Sequence, residues 1–370
     1  MEKISQTVDT AGGPTSSDLA ALGHLPLKGK AMTTASAVIP VPCSLVSPIN
    51  QNLYVTEQLL SMKHKTALFS QSQGTTEERQ CQMIRLKDGY TLMHEHLTIN
   101  LNPGDLGGTD IDIICRELTE LYTFEVRNIV ELTNQGMGRN PDVLRALASA
   151  TGINIIPSTG YYLEACMPPD IRTRTIEELA EEAVRDLTWG IDEEGYTAGV
   201  IGEIGWSKPK AGEIESKVWE AMSIAAAKTG AVVSTHPSLG VEQVPQAEFL
   251  IKRGIKPEKI VICHTEFYPG EKALLTLMEL GVNIGIDMIG QRGHDRDEFR
   301  ADMVAMLRDW GFLSQVTLSM DICEQQELRQ CGGFGYAHLF ESFLPLLQDR
   351  GITEDEIDLI LRRNPMRILG

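Results

Sequence analysis

The chain has 370 residues, room for one large α/β domain or two small ones, and its 51 acidic against 33 basic residues leave a net charge of −18. That charge argues against nucleic acid or an anionic membrane surface as partner and favours a small-molecule substrate. The seven cysteines are scattered, odd in number and form no C-x-x-C pair, no apolar run spans a bilayer, and the N-terminus lacks the order of a secretory signal. A reduced, cytoplasmic protein is expected.

Residues 1–82 are rich in Ser, Thr, Gln, Pro and Gly, with one modest apolar stretch, Ala37 to Val46, broken by Pro40 and Pro42. No periodicity there builds a core, so a disordered or loosely packed N-terminal extension is predicted. Met83 stands a few residues before the first strand, and an equal reading starts the natural chain there. From residue 83 to 370, β-rich and amphipathic helical runs alternate. Strands are predicted at Tyr90 to Leu97, Val126 to Thr133, Ile153 to Tyr161, Ala198 to Gly205, Ala231 to His236, Ile260 to Thr265, Asn283 to Ile289 and Val316 to Asp321.

The helices between them have readable ends. Thr175 with Glu178 and Thr353 with Glu356 are capping boxes, Gly230, Gly281 and Gly311 stop helical runs, and Pro365 interrupts or kinks the last one. Eight strands alternating with helices make a (β/α)8 TIM barrel, whose active site belongs at the C-terminal ends of the strands.

Ligand-type residues end five of those strands: His94 and His96 in GYTLMHEHL, Glu203, His236, His264 and Asp321. Residues i and i+2 of a strand face the same side, so His94 and His96 can reach one ion. A single His at a strand end is more often a hydrogen-bonded structural residue than a ligand. Six such residues around one barrel mouth fit two Zn²⁺-like divalent ions, roughly 3.5–4 Å apart when a carboxylate bridges them. We expect His94, His96 and Asp321 on one ion, His236 and His264 on the other, and Glu203 between them. Glu95 points to the opposite face and is assigned a structural hydrogen bond, Cys263 is assigned to packing away from the barrel interior, and His24, His64, His294 and His338 are read as solvated or loop residues.

The motifs GYTLMHEHL, ELTNQGMGRN, STGYY, GEIG, STH, CH, LSMDI and GGFGY, running from the first predicted strand to beyond the eighth, resemble the phosphotriesterase family of the amidohydrolase superfamily. The resemblance implies a binuclear zinc barrel hydrolase with Glu203 as the bridging ligand and makes a homodimer plausible. It also supports a start near Met83, while the first 82 residues have no counterpart in it. Two departures stand out. Phosphotriesterase itself bridges its metals with a carboxylated lysine, so metal assembly here needs no bicarbonate. Its outward proton relay uses an Asp and a His where this chain has Phe267 and Met288. Efficient organophosphate hydrolysis is therefore not expected.

For the chemistry, two ions sharing a water lower its pKa, and the hydroxide so formed would attack a carbonyl or phosphoryl centre. Asp321 is expected to take the proton and pass it to the leaving group. Tyr161, Tyr162, Arg139, Arg292 and Arg329 follow strands and are the expected substrate contacts. The strand-eight loop holds Glu324 and Glu327 against the single Arg329, which leans towards a carboxyl ester or lactone. The alternatives are a phosphoester or amide hydrolase and, in another class, a metal-bearing barrel that binds a ligand without turnover.

Overall fold

Each of the eight β-rich runs forms a strand, and all pair in parallel in chain order, β1 to β8. They are β1 (Tyr90–Glu95), β2 (Val126–Glu131), β3 (Asn154–Thr159), β4 (Val200–Trp206), β5 (Val232–Pro237), β6 (Ile260–Ile262), β7 (Asn283–Ile286) and β8 (Val316–Leu318). The computed structural model describes residues 85–208, 212–238, 241–267, 270–291 and 294–370, the side chains of residues 294 and 295 excepted. The predicted extension over residues 1–82 lies outside them, as do His24, His64 and Arg292. β8 meets β1 through side chains as well as backbone, giving a nearly closed barrel. Glu95 accepts from the backbone N–H of Met320 at 2.9 Å and of Ile322 at 3.4 Å, Ser319 Oγ accepts from His94 N–H at 2.8 Å, and Asp321 N–H donates to the His94 carbonyl at 3.3 Å.

Several strands stop one to three residues short of the predicted ligand. His264 and Asp321 have φ of +54° and +50°, the left-handed region that non-glycine residues seldom occupy. The backbone therefore leaves the ladder just before the ligand. Gly202, at φ +140°, precedes Glu203 where β4 presses on β5, and a Cβ there would stand 2.5 Å from the Ser234 carbonyl oxygen.

Helices α1 (Ile111–Thr123), α2 (Pro141–Thr151), α3 (Ile176–Thr188), α4 (Glu213–Thr229), α5 (Val244–Lys252), α6 (Glu271–Leu280) and α7 (His294–Asp309) follow successive strands. After β8 come α8 (Leu344–Asp349), α9 (Glu354–Asp358) and α10 (Asn364–Leu369). Both predicted capping boxes form, at Thr175–Glu178 and Thr353–Glu356, and Gly230 and Gly281 end their helices in the left-handed conformation. Pro365 sits in the first turn of α10, just after a π-helical turn over Leu359–Arg363.

The larger core lies between strands and helices. Its aromatic trio of Trp206, Trp219 and Phe249 packs edge to face at 4.7–5.8 Å, pinning α4 and α5 to β4, each contact worth about 0.5–1.5 kcal/mol beyond area burial. A second cluster takes residues from β1 to β6, among them Met93, Val130, Ile156, Val200, Val232 and Val261, and fills the barrel, with Ile368 and Leu369 at its N-terminal end. Cys263 belongs to this inner cluster, correcting the expectation that it faces outward. Among the described residues, no helix is long and apolar enough to cross a membrane.

Candidate metal centre

The six expected ligands converge at the C-terminal mouth of the barrel. His94 Nε2 stands 3.4 Å from Glu203 Oε2 and 3.3 Å from Asp321 Oδ1, and His96 Nε2 stands 3.1 Å from the same Asp321 oxygen. On the other side of Glu203, His236 Nδ1 approaches Oε2 at 2.7 Å and His264 Nε2 at 3.5 Å, with 3.0 Å between the two nitrogens. The ligand atoms of His94, His96 and Glu203 all lie within 4.8 Å of one another, and so do those of Glu203, His236 and His264. Glu203 is common to both groups.

The nitrogens that face away from the cluster are tied down. Asp287 takes His94 Nδ1 at 3.0 Å and His264 Nδ1 at 2.7 Å, and also accepts from the His264 N–H at 2.9 Å. Thr133 Oγ1 holds His96 Nδ1 at 2.9 Å, and the Tyr162 hydroxyl holds His236 Nε2 at 2.9 Å. Such outer partners fix which ring nitrogen is offered inward. Sequence reading overlooked Asp287. Its signal was an acidic residue inside the apolar run NIGIDMIG, where an unpaired carboxylate has no place in a core.

Three buried carboxylates make the electrostatics one-sided. Burial opposes ionisation of Glu203, yet the His236 and His94 imidazoles hold it well below the usual carboxylate range, and His94 does the same for Asp321. Burial also opposes charge on His264 and His94. Asp287 outweighs it at His264, while Cys263 and the carboxylates outweigh it at His94, and both rings end well above their usual value. The cluster calls for positive charge on these nitrogens, from protons or from a cation among them. A cation fits the donors: His94 Nε2 is buried without a hydrogen-bond partner and aims at both carboxylates. Mixed imidazole and carboxylate donors suit a divalent ion of borderline softness.

The expected substrate contacts divide. Tyr162 is at the cluster, its ring 4.5 Å from that of His236. Tyr161 is not. As the preceding residue it points the other way, is buried, and donates to Glu182 at 2.6 Å. Arg139 is spent on the Ser158 carbonyl at 2.9 Å and Asp186 at 3.1 Å, and Arg329 pairs with Glu120 and Glu341. Those carboxylates hold Tyr161, Arg139 and Arg329 in place in this structure. Arg292 lies outside the described residues. Phe267 stacks on His264 at 5.1 Å, and Met288 is buried. Glu327 accepts from the backbone of Cys323 and Glu324, so its charge caps the loop. His338 is no solvated residue, for it pairs with Asp297 at 2.8 Å.

Comparison with known proteins gives a consistent picture. The family model described as "Phosphotriesterase family" matches residues 80–369. The phosphotriesterase homology protein of Escherichia coli (strain K12) is 38% identical over 281 residues, covering 75% of this chain and 96% of that protein. A crystal structure of the E. coli protein, with phosphate in its active site, superposes with a TM-score of 0.73 at 36% identity over 76% of this chain and 99% of that one. The human N-acetyltaurine hydrolase is 32% identical over 253 residues, 65% of this chain and 72% of the enzyme. A mutant of a PTE-like lactonase from Deinococcus radiodurans superposes with a TM-score of 0.68 at 27% identity, covering 77% and 97%.

Proposed function

Since the chain belongs to the phosphotriesterase family and is a hydrolase of that family, we propose that it holds two divalent ions, Zn²⁺ by donor chemistry, and hydrolyses an ester bond of a small molecule. A carboxyl ester or lactone is the favoured substrate, in keeping with the PTE-like lactonase among its structural neighbours. His94, His96 and Asp321 would hold one ion, His236 and His264 the other, with Glu203 shared. Bound there, such ions would acidify water and polarise the scissile group. The observation that carries this reading is the buried, unpartnered His94 Nε2 facing Glu203 and Asp321, with Nδ1 of the same ring held by Asp287.

Asp321 is the carboxylate that meets substrate. Its side chain is 10% exposed against 2% for Glu203 and Asp287. It accepts the proton of the attacking water at a carboxylate oxygen and returns it to the leaving group. Asp287 keeps the His94 and His264 rings oriented, and the Tyr162 hydroxyl steadies His236 while presenting its ring to the substrate side.

A second reading, hydrolysis of an N-acyl amide, is favoured by the likeness to N-acetyltaurine hydrolase. Metal analysis of the full chain and of Glu203→Ala tests the centre: about two ions per chain, falling in the variant, is the expected result. One ion or none in folded wild-type protein would overturn it. Parallel panels of lactones, phosphoesters and N-acyl amino acids then decide the scissile bond.

A further inference from the structure

Cys323 is a free, half-buried cysteine that the assignment above leaves unused. Its Sγ is 3.4 Å from Asp321 Oδ1 and 3.3 Å from the Asp321 carbonyl oxygen. Its sulfur and the ligand atoms of His96 and Asp321 all lie within 4.8 Å of one another. The unpartnered His94 Nε2 aims at the same Asp321 Oδ1 from 3.3 Å. Around that one oxygen stand two imidazole nitrogens and a sulfur, at 3.1, 3.3 and 3.4 Å. Neighbouring donors to one zinc ion at usual bond lengths are separated by roughly 3–3.6 Å.

The backbone keeps the sulfur there. Asp321, at φ +50°, turns the chain back towards the mouth. The N–H of Cys323 donates to Glu327 at 2.9 Å, its carbonyl accepts from Leu106 at 3.0 Å, and Ile322 N–H donates to Glu95 at 3.4 Å. The backbone so held fixes the Cα–Cβ direction of Cys323, and the contacts of Sγ with Asp321 select the rotamer.

We propose that Cys323 is a further ligand of the ion assigned to His94, His96 and Asp321, a soft donor in an otherwise nitrogen and oxygen set. This rests on the metal-centre reading above. On binding, the sulfur lone pair forms the bond to the ion and the thiol proton leaves to solvent; nothing is oxidised or reduced. A thiolate biases the site towards zinc, cobalt or cadmium and away from manganese or magnesium.

Titration of the metal-stripped full chain with Co²⁺ separates this from the underlying reading. Visible ligand-field bands report binding to the histidines and carboxylates, and near-ultraviolet sulfur-to-cobalt charge transfer reports the thiolate. Both are expected in wild type. Cys323→Ser should lose the charge-transfer band and keep the visible ones, while Cys263→Ala, at the other thiol near His94, should keep both. Visible bands without charge transfer in wild type, or charge transfer that survives Cys323→Ser, would overturn the proposal and leave the metal centre standing. Failure to bind cobalt would overturn both. Zinc-edge X-ray absorption of the wild type needs no variant: a sulfur shell at about 2.3 Å is expected, and a shell of light atoms alone would refute it.

Discussion

Two buried clusters of carboxylates and histidines adjoin at the C-terminal end of this barrel, and they balance their charge differently. In one, Arg300 pairs with Asp297 at 2.8 Å and Glu266 at 3.3 Å, and His338 completes the set. In the other, the ion pairs of Glu203, Asp287 and Asp321 are, among the described residues, all with histidines. The clusters touch, since Glu266 accepts from the N–H groups of Asp287 and Met288 at 3.2 and 2.8 Å. A cluster with its own guanidinium is complete as scaffold. One built only of carboxylates and titratable rings is suited to take up a cation and to move protons.

The sharpest way to break this contrast is at the carboxylate most open to substrate. Asp321→Asn is expected to lower kcat by about 10²–10⁴-fold and to reduce metal content far less. Equal loss of both would remove Asp321 as the proton acceptor. The scaffold cluster should respond in stability. Arg300→Met leaves Glu266 buried without its cation and Asp297 with His338 alone, an expected loss of about 3–5 kcal/mol in denaturant unfolding. A loss near that of an exposed pair, under about 1 kcal/mol, would show that the two clusters do not differ as described.

Finer distinctions lie in how the imidazoles are anchored. Asp287→Asn replaces a carboxylate that serves two rings with an amide that can accept at only one oxygen. Metal affinity should fall about 10–100-fold, read by competition with a chelator, and an unchanged affinity would reduce Asp287 to packing. Thr133→Val takes a neutral hydroxyl from His96 Nδ1 and from the buried Glu131 carboxylate beside it. Its expected cost is the smallest, about 0.5–1.5 kcal/mol in the same competition, and a larger effect than Asp287→Asn would invert the ranking of charged over neutral anchors.

Strand order, helix caps and the six converging residues were legible in the chain because they rest on local patterns: β-rich runs, capping boxes, and a ligand-type residue where each of five runs ends. Periodicity and capping act over a few residues, so the eight βα units, and the rim on which His94, His96, Glu203, His236, His264 and Asp321 stand, follow from short stretches of chain. Which neighbours surround those six residues depends on packing between distant stretches. Tyr162 faces His236 while Tyr161 is captured by Glu182, and Asp186, Glu120 and Glu341 occupy Arg139 and Arg329. Asp287 reaches two imidazoles far away in sequence, and Cys323 turns its sulfur to Asp321. The reason is physical: these partners are set by barrel closure and by backbone turns at positive φ, which bring together residues that no short stretch of sequence relates.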